Sequence, residues 1–223
     1  MENRNISKSS TRMVLATVAM LIAPSAGALE ITLLDLDNGA SFLSADETLQ
    51  FDGFDITISG DLSTNLADYK VVADAGQVAD GFRLVGPIGI GQGGAGTISM
   101  AYDVWGEMSR QISSATLFGN GVVIGNGSIA IDEELPALGL DMQLSFGEGD
   151  PAQEVSISFA PVDHLGVSLF IELGADVGGT LAALSVVDQR FETVDVIPEP
   201  GASLLFVVGL ATIGLAQGRR AQH

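Results

Sequence analysis

An all-β fold, an antiparallel β-sandwich of jelly-roll type over residues 29–197, is what this sequence predicts, on three observations. Apolar residues alternate with polar ones in run after run, the period-two signature of strands with one buried and one wet face. Asn-Gly and Asp-Gly pairs stand between the runs, and residues that tolerate positive φ favour tight reversals. No ten-residue stretch of the body reads as an amphipathic helix, so the strands must pack on one another.

Taken in order, the first clear stripe is Phe54, Ile56 and Ile58, separated by Asp55 and Thr57. Ile98, Met100, Tyr102 and Val104 form the next, followed by Leu140, Met142, Leu144 and Phe146. Val155, Ile157 and Phe159 interleave with serines, and Leu165, Val167, Leu169, Ile171 and Leu173 make the longest series. Weaker candidates are Ile31–Leu36, Tyr69–Ala73, Phe82–Val85, Ser114–Phe118, Ser128–Ile131 and Ala183–Val187. Turns are expected at Asn38-Gly39, Asp52-Gly53, Asp80-Gly81, Asn120-Gly121 and Asn126-Gly127. Strands with one wet face argue for antiparallel pairing. Short helical turns are expected around Leu62–Asp68 and Asp132–Leu138.

Both ends read as addressing segments. Arg4, Lys8 and Arg12 precede an apolar run from Met13 to Ala23, then Pro24-Ser25 and the small triplet Ala26-Gly27-Ala28. A basic region, a short apolar region and an A-x-A site make residues 1–28 a secretory signal peptide, cut after Ala28. At the other end, Pro198-Glu199-Pro200 is followed by an apolar run from Ala202 to Ala216 and then Arg219-Arg220. The prolines break any regular element between body and tail. The run would make a helix about 22 Å long at ~1.5 Å per residue, against a hydrocarbon core of about 30 Å. With its flanks it is a marginal transmembrane helix of about residues 202–218, helped by snorkelling of the arginines, which would act as the stop-transfer signal.

This order of parts, residues 198–223, resembles the PEP-CTERM sorting signal of exported bacterial proteins. The basic end departs from that pattern in having only two arginines, followed by Ala221-Gln222-His223. The resemblance implies passage through the export machinery and transient anchoring in the inner membrane. It also implies recognition and cleavage near Pro198-Glu199-Pro200 by exosortase, a membrane protease-transpeptidase. Delivery to the cell envelope or extracellular matrix would follow, in bacteria that make exopolysaccharide and biofilm.

Charge narrows the partners. Of 28 acids and 9 bases, removing Glu2, Glu199, Arg4, Lys8, Arg12, Arg219 and Arg220 leaves 26 acids, four bases and a charge of about −22. Such a field repels phosphates, which argues against nucleic acid and anionic lipid headgroups. The chain has no cysteine, so disulfides, thiolate metal sites and thiol nucleophiles are excluded.

Several segments resemble chemistry. Gly89 to Gly94 matches G-x-G-x-x-G, but Thr97 to Val104 alternates as a strand where a dinucleotide site needs a helix. His164, the body's only histidine, has Asp163 beside it, yet neighbours in a strand point to opposite faces, so Asp163 is badly placed to orient it. Asp35-Leu36-Asp37-Asn38-Gly39 has the flavour of a calcium loop without its full spacing. Asp132-Glu133-Glu134 and Glu148-Gly149-Asp150 are further oxygen-rich segments, so calcium is a cofactor candidate at Asp35, Asp37, Asp132, Glu133 and Glu134, and no other cofactor is expected. Trp105, Tyr102, Phe42, Phe51 and Phe118 are candidates for a sugar-stacking platform, with Tyr102 placed in the core by its alternation.

The sequence is therefore read as an exported, sorted protein with a structural or interaction role in the exopolysaccharide matrix, and not as an enzyme. A carbohydrate- or calcium-binding β-sandwich module is the alternative, and a secreted glycan hydrolase comes third.

Overall fold

A computed structural model describes residues 28–73, 78, 80–107, 109–178 and 180–196. Two antiparallel sheets face each other. The first contains β1 (Leu29–Thr32), β4 (Lys70–Ala73), β5 (Gly81–Val85), β6 (Gly89–Ile90), β8 (Arg110–Ile124), β11 (Gln153–Val162) and β13 (Leu181–Asp195). Its strand order is β1-β4-β5-β13-β8-β11, and β6 adds to β13. The second contains β2 (Phe42–Leu43), β3 (Leu49–Gly60), β7 (Ala95–Gly106), β9 (Ser128–Leu135), β10 (Leu140–Phe146) and β12 (His164–Gly174), in the order β10-β9-β12-β7-β3-β2. The expected β-sandwich is present. The hydrophobic helix expected at residues 202–218 and the segment carrying Pro198, Glu199, Pro200, Arg219, Arg220 and Ala26 lie outside the described residues. Among the described residues no helix is long and apolar enough to cross a membrane. Ala28 is exposed, directly before β1.

Each clear stripe of the sequence supplies the inner row of a strand. Leu165, Val167, Leu169, Ile171 and Leu173 of β12 are all buried, as are Ile98, Met100, Tyr102 and Val104 of β7. The layers meet on an aromatic cluster: Phe82 of β5 packs edge-on against Phe42, Phe51 and Tyr102 of the other sheet. Edge-to-face pairs set the positive rim of one ring against the negative face of the next.

Four local expectations are corrected. Ile31–Leu36 is not one strand: β1 ends at Thr32, whose hydroxyl caps a short helix, α1 (Leu33–Asp37), by accepting from Asp35 N at 3.1 Å. Such a cap satisfies an amide left free in the first turn. Asn120-Gly121 is not a turn but lies within β8. Gly119 and Gly121 face the core, where an added Cβ would meet Ile131 Cδ1 and Phe146 Cζ at 3.0 Å, or Ile129 Cδ1 at 2.9 Å. These glycines make room for the opposite sheet. Asp52-Gly53 likewise lies inside β3, at a register shift between Asp52 and Asp55, with Gly53 at φ 65°, as a bulge residue in the left-handed region requires. Residues 132–135 continue β9 rather than forming a helical turn, while Leu66–Asp68 does form a single 3-10 turn.

Candidate functional site

Alternation that buries one row of the second sheet turns the other row to solvent. Across β3, β7 and β12 the outward register runs Gln50, Trp105, His164, then Asp52, Asp103, Gly166. Further along, Ser99, Phe170, Asp132 and Gln143 line up across β7, β12, β9 and β10.

Two aromatic rings stand on this face. Trp105 is 41% exposed and stacks on the His164 ring, with centroids 4.0 Å apart and planes 23° from parallel. Its indole N–H donates to Asp52 Oδ1 at 3.0 Å, and His164 Nε2 pairs with Asp103 Oδ1 at 2.8 Å. The ring is thus fixed from two sides, which removes conformational freedom before any ligand arrives. Phe170 is 38% exposed. It lies in a shallow groove with Asp132, Glu134, Asp141 and Gln143, where Gln143 Nε2 donates to Asp132 Oδ1 at 2.6 Å. Six residues of β12 separate the positions of the two rings, about 20 Å at ~3.3 Å per residue.

The face is acidic. Asp52, Asp55, Asp103, Asp132, Glu134, Asp141 and Glu172 point outward from it. The bases of the described segment, Lys70, Arg83, Arg110 and Arg190, all belong to the other sheet. There each meets a carboxylate: Glu30, Asp188, Asp195 and Glu154.

Other sequence candidates fall elsewhere. Phe42, Phe51 and Tyr102 are buried in the aromatic cluster, and Phe118 is half-buried on the outer side of β8, in the other sheet. Of the expected sugar platform only Trp105 lies on this face. Asp163 takes Gln111 as partner at 2.9 Å, leaving His164 to an aspartate on the neighbouring strand. The glycine run between β6 and β7 opens onto a strand and not a helix.

The calcium candidates do not converge. Asp35 accepts the Thr32 hydroxyl at 2.6 Å and Asp37 accepts from Ile56 N at 3.2 Å. In β9, period two sends Asp132 and Glu134 outward and Glu133 into the core. Among the described residues no group of three or more His, Cys, Asp or Glu side chains is placed to hold a metal.

No family model matches the chain, and no curated protein does. Solved structures do, distantly. TmCBM61 in complex with β-1,4-galactotriose is 11% identical, with a TM-score of 0.35 over 61% of this chain and 88% of its own. The enzymatically active domain of bacteriophage CBA120 tailspike protein 4 is 12% identical, with a TM-score of 0.28 over 65% of this chain and 19% of its own. Endoglucanase 3 of Trichoderma harzianum, from family GH12, is 7% identical, with a TM-score of 0.24 over 76% of this chain and 100% of its own. The expectation that this chain is not an enzyme is corrected by these similarities. Structures with enzymatic activity are among those to which it is similar.

Proposed function

We propose that this chain binds a neutral, hydroxyl-rich glycan along the outer face of the six-stranded sheet. One observation carries the reading: Trp105 and Phe170 are exposed on a single face whose polar side chains are carboxylates, amides, hydroxyls and the His164 imidazole, without a lysine or arginine among the described residues. A pyranose presents an apolar C–H face and a rim of hydroxyls. The first stacks on aromatic rings, and the second donates to carboxylates and exchanges hydrogen bonds with amides. Polar contacts placed around an apolar anchor are the usual composition of a small-molecule site. A polyanionic glycan would meet the field of Asp52, Asp103, Asp132 and Glu134 and be repelled.

Trp105 is the only tryptophan in the chain, so intrinsic fluorescence reports on the site directly. Titration with neutral β-linked polysaccharides should shift or quench that emission, and Trp105→Ala or Phe170→Ala should weaken binding in affinity electrophoresis about tenfold or more, as loss of an aromatic anchor does. Unchanged emission across a neutral glycan panel, with no retardation, overturns the reading.

The same proposal places the module outside the cell, exported by residues 1–28 and sorted at Pro198-Glu199-Pro200. Mass spectrometry of the secreted protein should then find a C-terminus near Pro200. Recovery of an intact Arg219-Arg220 end from the medium contradicts the sorting step.

A further inference from the structure

Glu133 is an unusual residue for the middle of a sandwich. It is 0% exposed, and its register partners on either side, Met142 of β10 and Leu169 of β12, are buried and apolar. Across the interlayer stands Gln189 of β13, also 0% exposed, whose amide oxygen accepts from the Tyr102 hydroxyl at 3.2 Å. Neither carboxyl oxygen of Glu133 has a hydrogen-bond partner among the described residues, and neither does Gln189 Nε2. An ionised carboxylate so placed forfeits its hydration and faces no donor but the Gln189 amide, and no packing of Met142 and Leu169 offsets that loss. A neutral carboxylic acid costs far less in the same place and brings an O–H donor of its own.

We propose that Glu133 is a protonated, neutral acid in the folded protein and acts as a proton-dependent latch between the two sheets. Ionisation converts a tolerated buried group into an unpaired buried charge at the joint where β9 meets β13. The groups that face it add no compensating cation. Tyr102 is the titratable one, and its hydroxyl is itself pushed well up, first by burial and then by Glu133. Gln189 is uncharged, and β8 brings Leu117 and Gly119 to the same core. The ion pairs Arg83–Asp188 and Arg190–Glu154 belong to the opposite side of β13.

The direction with pH follows. Burial raises the Glu133 carboxyl from 4.5 to about 8, opposed by the Gln189 amide. The folded chain therefore keeps a proton that the unfolded chain releases above pH 4.5. The stabilisation is complete below 4.5 and is lost as pH rises towards 8. Over that window the linkage amounts to about a few thousand-fold in the folding equilibrium.

The test is urea unfolding of the full chain between pH 4.5 and 8.5, for wild type and Glu133→Gln. Glutamine keeps the shape and has no proton to lose. Wild type should lose stability steeply across the window and the variant should be nearly flat. Parallel profiles overturn the proposal. Asp80, also raised by burial, contributes a slope of its own, so Asp80→Asn serves as the control that must leave the Glu133 component in place. Should Glu133→Gln fail to fold, infrared spectroscopy decides on the wild type and Asp80→Asn proteins. A protonated-carboxyl stretch persisting at pH 7 in both supports the latch, and its absence overturns it.

Discussion

The two outer faces of this sandwich are built on the same alternation and yet differ in kind. On the seven-stranded sheet, cations and carboxylates are matched within the protein, most fully where Arg83 grips Asp188 through Nε at 2.7 Å and Nη2 at 2.8 Å. On the six-stranded sheet, carboxylates stand without lysine or arginine beside two exposed rings. The first face has paired each of its cations with a carboxylate of its own. The second holds hydrogen-bonding capacity and apolar ring surface in reserve for something else. One core serves both, so function here is a matter of which side chains occupy the wet row and not of how the strands are laid down.

The largest expected effect removes the comparison altogether. Phe82 is fully buried at the junction of the layers, and Phe82→Ala should cost about 3–5 kcal/mol, read as a lowered urea midpoint with loss of glycan binding at the same denaturant concentration. Asp188→Ala should cost less, about 2 kcal/mol, because it removes a carboxylate partner from a partly buried guanidinium and not an aromatic ring from the core. Binding by the folded fraction should be unchanged, and a weakened affinity would show that the faces are coupled. Trp105→Ala inverts the pattern: stability within about 1 kcal/mol of wild type, as for other surface changes, with binding in affinity electrophoresis weakened about tenfold or more. Lys70→Ala, at an exposed pair with Glu30, should move stability by no more than about 0.5 kcal/mol and binding not at all. A measurable loss of binding in that variant would sink the assignment of recognition to the opposite face.

The sandwich was legible because burial in a strand is written in period two, and Leu165 to Leu173 states it outright. The errors came where one residue type serves two ends. Asn120-Gly121 carries the composition of a turn, but its glycine answers to Ile129 across the core, a contact that sequence neighbours do not reveal. The acidic run at Asp132 reads as the start of a helical turn and an oxygen-rich segment because three charges stand together, although alternation alone sends the middle one inward. Of the site, Trp105 is one of the five aromatic candidates the sequence offers. Phe170 went unremarked inside the longest stripe, where an aromatic at a wet position was the signal. That His164 would find Asp103, and Trp105 would find Asp52, depends on strand order, which alternation does not encode.

The final strand, β13, has one further consequence. It runs from Leu181 to Asp195 in the interior of its sheet, paired with β8 along its length and with β5 on the other side, and it is the strand that leads to Val196 and the tail. Its ladder bonds lie perpendicular to the chain. Tension applied along the strand at that end would therefore be shared by many bonds sheared together and would not open them one after another. Seen as a mechanical part, the sandwich is held by a strand it cannot easily release.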